Sequence, residues 1–493
     1  MNKHTNNKNE GLLKPGLFPW VAMPGPAVGL CLIMVLLVAC IVPGMLNAAT
    51  YITPYISIGE IYSDNVDLSP GGSEDEDYVT EAAPGITIER SGSRLQALLD
   101  YRAQMFYFAN RSDQNVYHQA DGIGVLEVTD EVLFLNAKLK STQSIVDPAG
   151  RLPTGNISRT GNTTDVYSYS VGPEFRQNFG SAAILGTNYT YRKVTYSENG
   201  LSDSTSNKVE ADLESGPGFN KMGWRLELSW DKQDFDSTSD KEFRKVISEV
   251  SYPRDRPLTY IATAGYEDND FETAASRSKP SGSLWTVGFE WVPNSRFRMN
   301  AAAGKRFFGT TVEAEMELQG RKDQIRASYS EDPKTASDAL TEDSGPPLTG
   351  IPGDPTDIDP TAPGITDEVY VRKRFRLFHI HNFRRSDFWW TALLENREYQ
   401  ESGSDERVLR FNADWIWRLG AVTSLRTSGS WQDRDLRDIN SDYNLWYVRV
   451  GLVRELGLMA SAELDYRYSD RDGDNDNNDY TENRISARLL FAF

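Results

Sequence analysis

LRFNADWIWRL, residues 409–419, decides how this chain is read. Leu409, Phe411, Ala413, Trp415, Trp417 and Leu419 interleave with Arg410, Asn412, Asp414, Ile416 and Arg418. Side chains on a strand point alternately to opposite faces, so one face here is apolar and the other nearly all polar. The same phase recurs in Trp224, Leu226, Leu228 and Trp230 against Arg225, Glu227, Ser229 and Asp231, and in Leu458, Ala460, Ala462, Leu464, Tyr466 and Tyr468 against Ser461, Glu463, Asp465 and Arg467. Between Tyr51 and Phe493 the chain is a succession of such segments, with no convincing helical period.

Alternation also suits a soluble sandwich, whose apolar face looks into a core. Three features favour a membrane. The segments run about 10 to 16 residues, longer than strands of globular sheets and enough to cross a bilayer at a tilt. Aromatic residues crowd toward segment ends, as in Tyr189, Tyr191, Tyr196, Trp285, Trp291, Phe388, Trp389, Trp390, Trp446 and Tyr447, which suits interfacial girdles. The third feature is connection length. About 22 strands, with 18 to 24 as the range, can be drawn, and their connections alternate between tight turns (90–94, 178–181, 293–296, 319–323, 455–458) and long polar loops (63–77, 144–162, 271–282, 331–367, 471–481). Short periplasmic turns and long outer loops are the asymmetry of an outer-membrane barrel. The expected fold is thus all-β, a transmembrane antiparallel β-barrel over residues 50–493, whose first and last strands pair because an open sheet edge does not survive in hydrocarbon.

Residues 1–49 are of another kind: Lys3, Lys8 and Lys14 precede the apolar run AVGLCLIMVLLVACIV (27–42), and LNAAT (46–50) follows. That order reads as a secretory signal peptide cleaved near Ala48 or Ala49. An uncleaved anchor is the alternative, though the run is short for a span of about 30 Å. Leu37-Val38-Ala39-Cys40 also has the look of a lipoprotein box, with an apolar stretch continuing after the cysteine. Both cysteines, Cys31 and Cys40, lie in this segment, so the mature chain has no disulfide and no thiolate metal site. The chain has 493 residues, 52 basic and 71 acidic; removing the segment takes away three lysines and one glutamate and leaves 49 against 70, a net charge of −21. Nucleic acid is excluded as a partner on that charge; outer-membrane lipid and lipopolysaccharide are the expected surroundings.

The last segment alternates Ile485, Ala487, Leu489, Phe491 and Phe493 with Arg484, Ser486, Arg488, Leu490 and Ala492. It resembles the C-terminal signal, here Phe491 and Phe493, by which outer-membrane barrels are recognised by the barrel assembly machinery.

The stretch 331–367, with Pro346, Pro347, Pro352, Pro355, Pro360 and Pro363, cannot continue a ladder because proline lacks the donor. It is read as an outer loop or as a constriction folded into the lumen. Beyond it, Arg372, Arg374 and Arg376 share a face, in phase with Arg326. Their phase is luminal, where they either contact an anionic sugar polymer or solute or pair with carboxylates such as Glu395. Asp470, Asp472, Asp474 and Asp476 in SDRDGDNDNNDY resemble a calcium loop, but Asn475 stands where glycine is required and Thr481 where glutamate belongs. A solvated surface loop, sharing divalent ions with lipopolysaccharide, is the competing reading. The mature chain has three histidines, His118, His379 and His381; the last two lie on the apolar phase near a periplasmic end, where a zinc site competes with interfacial packing. There is no G-x-S-x-G, Walker or H-E-x-x-H motif, and Gly122-Ile123-Gly124 lacks the third glycine of a dinucleotide fingerprint, so neither an enzyme nor a cofactor is expected.

TYITPYISIGEIYSDNVDLSP (50–70) and YVTEAAPGITIERSGSRLQALLDYRAQMFYF (78–108), with the FAF ending, resemble the uncharacterised outer-membrane proteins associated with PEP-CTERM and exosortase systems. The resemblance covers the barrel and carries no catalytic residues. It implies a role beside an extracellular polysaccharide locus, as passage for the polymer or docking site for periplasmic export proteins. A general or solute-selective porin, or a structural or adhesive barrel with a filled lumen, are the other readings.

Overall fold

The computed structural model describes residues 49–493 except 199, 254–256, 343–357 and 437–440. The signal segment, with Cys31 and Cys40, and Pro346, Pro347, Pro352 and Pro355 of the long loop lie outside the described residues.

The described chain is a closed antiparallel barrel of 22 strands. In chain order they are β1 (Ala49–Ser63), β2 (Asp77–Ser91), β3 (Leu95–Phe108), β4 (Asp113–Thr129), β5 (Leu133–Ile145), β6 (Thr163–Asn178), β7 (Ala183–Tyr196), β8 (Ser204–Ser215), β9 (Gly223–Phe235), β10 (Lys241–Tyr252) and β11 (Leu258–Asp268). They continue with β12 (Ser281–Asn294), β13 (Phe297–Arg306), β14 (Gly309–Gln319), β15 (Asp323–Lys334), β16 (Tyr370–Asn382), β17 (Ser386–Tyr399), β18 (Asp405–Arg418), β19 (Thr423–Leu436), β20 (Tyr443–Glu455), β21 (Ala460–Gly473) and β22 (Tyr480–Ala492). Each strand pairs with the next in sequence, and β22 returns to β1 over Tyr55↔Ala492 to Ser63↔Arg484, which leaves no strand edge open along that seam. One short helix, α1 (Ala336–Thr341), lies in the connection from β15 to β16.

The expected phase is the observed one. On β22, Ile485 and Leu489 are 49% and 42% exposed while Arg484 and Ser486 are 6% and 2%. Apolar side chains thus face outward and polar ones inward, the reverse of a globular sheet and the arrangement that hydrocarbon demands. Apolar burial gathers in clusters where loops meet the wall: Leu68, Ile145, Leu152, Ile358, Tyr443, Leu445 and Tyr480 form one, Ile61, Val66, Val79, Phe106, Phe108 and Ile157 another, and Phe271, Phe307, Val369 and Val371 a third.

Even-numbered strands end in turns such as 92–94, 295–296, 320–322 and 383–385; odd-numbered ones lead into 64–76, 146–162, 269–280 and 335–369. The parity has an exception at β13–β14, joined on the long-loop side by Phe307 and Phe308 alone. Strand ends shift by a few residues from the sequence reading, and two of the shifts bear on candidate residues. β15 continues past 331 to Lys334, with Pro333 opposite Val371, so the loop begins at 335. β21 continues past Asp470 to Gly473, taking Asp472 into the strand as well, because carboxylates are tolerated on the rim of a barrel above the hydrocarbon.

Candidate functional site

The described parts of the long loop, 335–342 and 358–369, sit on the luminal face of the wall, as the inward of its two readings expects for them. Inside the barrel, β16 and β17 place Arg372 opposite Arg397, Arg374 opposite Glu395 and Arg376 opposite Leu393. Two arginines side by side repel unless carboxylates intervene. Here Glu395 pairs with Arg374 and with Nε of Arg397 at 2.6 Å, and Glu406 of β18 accepts from Nη1 of Arg397 at 2.9 Å and pairs with Arg434 of β19. Glu342, from the loop, accepts from Nη1 of Arg372 at 2.6 Å. Arg374 therefore pairs with Glu395, as one reading of the luminal arginines holds, and the loop supplies further oxygens.

Those oxygens come in two runs. On the way in, Thr335 caps α1, and Asp338 accepts from Arg192 of β7 and from Gln233 of β9 at 3.0 Å. Lys140 of β5 donates to the Leu340 carbonyl at 3.3 Å. On the way out, Asp359 pairs with Arg410 of β18 at 3.0 Å, and the Thr361 carbonyl accepts from Arg397. Arg434 donates to the Pro360 and Ala362 carbonyls, each at 3.1 Å, and Gln432 also donates to Pro360 at 3.1 Å. Arg397, Arg410 and Arg434 are at most 1% exposed, so these cations are shielded from water and matched by protein oxygens.

Burial alone would push the Glu342 carboxyl up, but Arg372, Lys334 and Arg374 outweigh it and hold its pKa at about 2. Against the same burial, Arg192 and Lys334 hold Asp338 low, and Arg410 holds Asp359 low. The loop is thus docked as an anion in a cationic wall.

A second loop, 146–162, enters beside β20–β22. Tyr480 donates to the Leu152 carbonyl at 2.6 Å, Arg467 to Thr154 at 3.3 Å and Arg471 to Ala149 at 3.2 Å, while Asn156 reaches Gln104 and Gln143 at 3.0 and 2.9 Å. Between the long loop and the wall remains a cavity of about 150 Å³ lined by Lys140, Arg374, Arg376 and Arg397 with Glu342 and Asp359. Toward the short-turn end, Arg326 faces the lumen with Glu317 at 3.3 Å, the two 53% and 43% exposed. Arg326 shares the luminal phase with Arg372, Arg374 and Arg376 but stands apart from their cluster.

The aspartates of the supposed calcium loop do not converge. Asp470 accepts from Trp446 Nε1 at 3.1 Å on β21, and Asp476 opens a single 3-10 turn. Among the described residues, the group of metal-ligating type close enough to share an ion is Asp323, His379 and His381, with ligand atoms within 4.8 Å. Its hydrogen bonds argue against an ion. Trp390 Nε1, which can only donate, lies 3.0 Å from His379 Nδ1, so that nitrogen accepts and the proton sits on Nε2, 3.1 Å from Asp323. His381 Nδ1 is 2.5 Å from the same carboxylate. The histidines pack at the barrel rim as a clasp on Asp323. Phe493, 69% exposed, donates its backbone N–H to Pro54 at 2.9 Å, finishing the seam.

The architecture has counterparts among solved structures. The FrpB iron transporter of Neisseria meningitidis superposes with a TM-score of 0.51 at 7% identity, over 90% of this chain and 82% of that one. The siderophore receptors PirA of Pseudomonas aeruginosa and of Acinetobacter baumannii give 0.46 and 0.47 at 10% and 9% identity, over 90% and 89% of this chain and 80% of each of theirs. No family model and no curated protein matches the sequence. At such identities the likeness is one of fold: a large outer-membrane-type β-barrel.

Proposed function

We propose that this barrel is a gated passage or docking site serving the production or export of an acidic extracellular polysaccharide. The observation that carries the reading is the cationic luminal wall, whose guanidinium groups are occupied by the chain's own loop: the carboxylates of Asp338, Glu342 and Asp359 and the carbonyls of residues 360–362. A polymer bearing carboxylates or phosphates offers acceptor oxygens to the same guanidinium groups and can exchange with the loop's bonds. The resemblance of residues 50–70 and 78–108 to exosortase-associated proteins supports placing that polymer at an extracellular polysaccharide locus.

A permanently open porin is the weaker reading, because the described parts of two loops dock on the luminal wall at the end that a solute would have to leave or enter. Planar-bilayer conductance separates them. The intact chain should conduct rarely, and a variant with 335–369 replaced by a short glycine-serine turn should conduct steadily and be blocked by added polyuronate. A deletion strain that secretes normal polymer would overturn the export reading, and steady conductance of the intact chain would overturn the gate.

A further inference from the structure

A groove of about 880 Å³ lies on the outer surface of the barrel at its short-turn end, lined by Phe383, Phe388, Ala413, Trp415, Gly429 and Val448 among others. These residues are on the outward phase: Phe388 pairs with Trp415, Ala413 with Gly429 and Gly429 with Val448. The floor is low because small side chains meet there across β18 and β19. Phe388 and Val448 stand beside it, Phe383 at 50% exposure and Trp415 at 37%. Trp415 stacks on Trp417 with ring centroids 5.4 Å apart, an aromatic pair of the kind found at a membrane interface.

The groove is not apolar throughout. Arg384 and Arg385, in the turn between β16 and β17, line its end. Both are exposed, and neither has an ion pair among the described residues. Nearby Arg418, by contrast, is taken by Asp387 at 2.5 Å. Two unpaired cations beside a long apolar trough on a hydrocarbon-facing surface describe the complement of an amphiphile with an anionic head and an acyl tail. The short-turn end is the periplasmic one in the orientation argued above, where the bilayer leaflet carries glycerophospholipid.

We infer that this groove is a specific site for one anionic glycerophospholipid, its phosphate held by Arg384 and Arg385 and one acyl chain lying over Ala413 and Gly429. The site is independent of the lumen and of what passes through it. A side chain can be added to its floor without disturbing the strand, because a Cβ on Gly429 would meet only the Tyr447 carbonyl, at 3.8 Å.

The test is native mass spectrometry of the full chain in detergent, titrated with dioleoyl phosphatidylglycerol and separately with dioleoyl phosphatidylcholine, with folding of each variant checked by its heat-modifiable gel mobility. The intact chain should retain one phosphatidylglycerol with about tenfold preference over phosphatidylcholine. The double variant Arg384→Gln/Arg385→Gln should lose the preference while still taking up lipid, and Gly429→Leu should reduce occupancy by both. Equal retention of the two lipids by the intact chain would overturn the assignment, as would folded variants that bind phosphatidylglycerol as the intact chain does.

Discussion

Substituting Arg434→Met should loosen the long loop while leaving the barrel intact. Arg434 is fully buried and donates to two loop carbonyls, Pro360 and Ala362, each at 3.1 Å, besides pairing with Glu406. Glu406 is not stranded by the change, since Arg397 at 2.9 Å and the Tyr399 hydroxyl at 3.0 Å still serve it. The Pro360 carbonyl keeps Gln432 at 3.1 Å, whereas Ala362 loses the donor found here. Hydrogen bonds from a charged donor contribute about 1.5–3 kcal/mol each. One bond lost outright and one weakened come to about 2–4 kcal/mol, and at about 1.4 kcal/mol per tenfold the undocked population rises about 30- to 1,000-fold.

Cleavage of the loop reads that population when reclosing is faster than cutting. Residues 335–369 contain no lysine or arginine, so a protease of broad specificity is required. Arg326→Met, which removes a luminal cation bonded to Glu317 and away from the loop, is the control. Cleavage of the folded Arg434→Met barrel within about twofold of the intact chain would refute the claim that these bonds hold the loop.

Acid should release the loop late. The Glu342 pKa is depressed from 4.5 to about 2, so its contribution to docking is complete above about pH 4.5 and is lost as the pH falls through about 2. Pepsin cleavage within 335–369 should rise steeply over that window, and Glu342→Gln should flatten the rise. At the rim, Trp390→Phe removes the donor that fixes His379 Nδ1 as an acceptor, so calorimetry should find tighter zinc binding in the variant than in the intact chain; the reverse order would contradict the hydrogen-bond assignment. In the sheet, a Cβ on Gly304 would lie 1.8 Å from the Trp285 carbonyl, whereas one on Gly124 would meet nothing within 4 Å. Gly304→Ala should cost about 1–3 kcal/mol and lower the unfolding temperature seen by gel mobility, with Gly124→Ala close to neutral.

The barrel was legible in the sequence because lipid imposes one rule on every span. Phe411, Ala413 and Trp415 must face out wherever they fall, and the alternation with Arg410, Asn412 and Asp414 repeats that information strand after strand. What alternation does not say is whether water or protein covers the polar face. Arg410 falls on the polar face by its phase, yet it and its neighbours Arg397 and Arg434 are buried under residues 359–362. A signal was present in the crowding of luminal arginines on β16–β19 opposite a loop with many carboxylates and no cation. The aspartate run is ambiguous for a related reason: aspartates at every second position are also what the rim of a strand looks like, and Asp470 and Asp472 are there.

The seam between β1 and β22 fixes the order in which this molecule can be made. Every other strand finds its partner next to it along the chain, so hairpins can form early and locally. Only the last join brings Tyr55 to Ala492 and Ser63 to Arg484, the two extremities of the described polypeptide. Until the final hairpin is in place the growing sheet carries two raw borders, each able to recruit a stray neighbour. Closure of the sheet therefore waits for β22, and until then the free edge of β1 is the place where mispairing is decided.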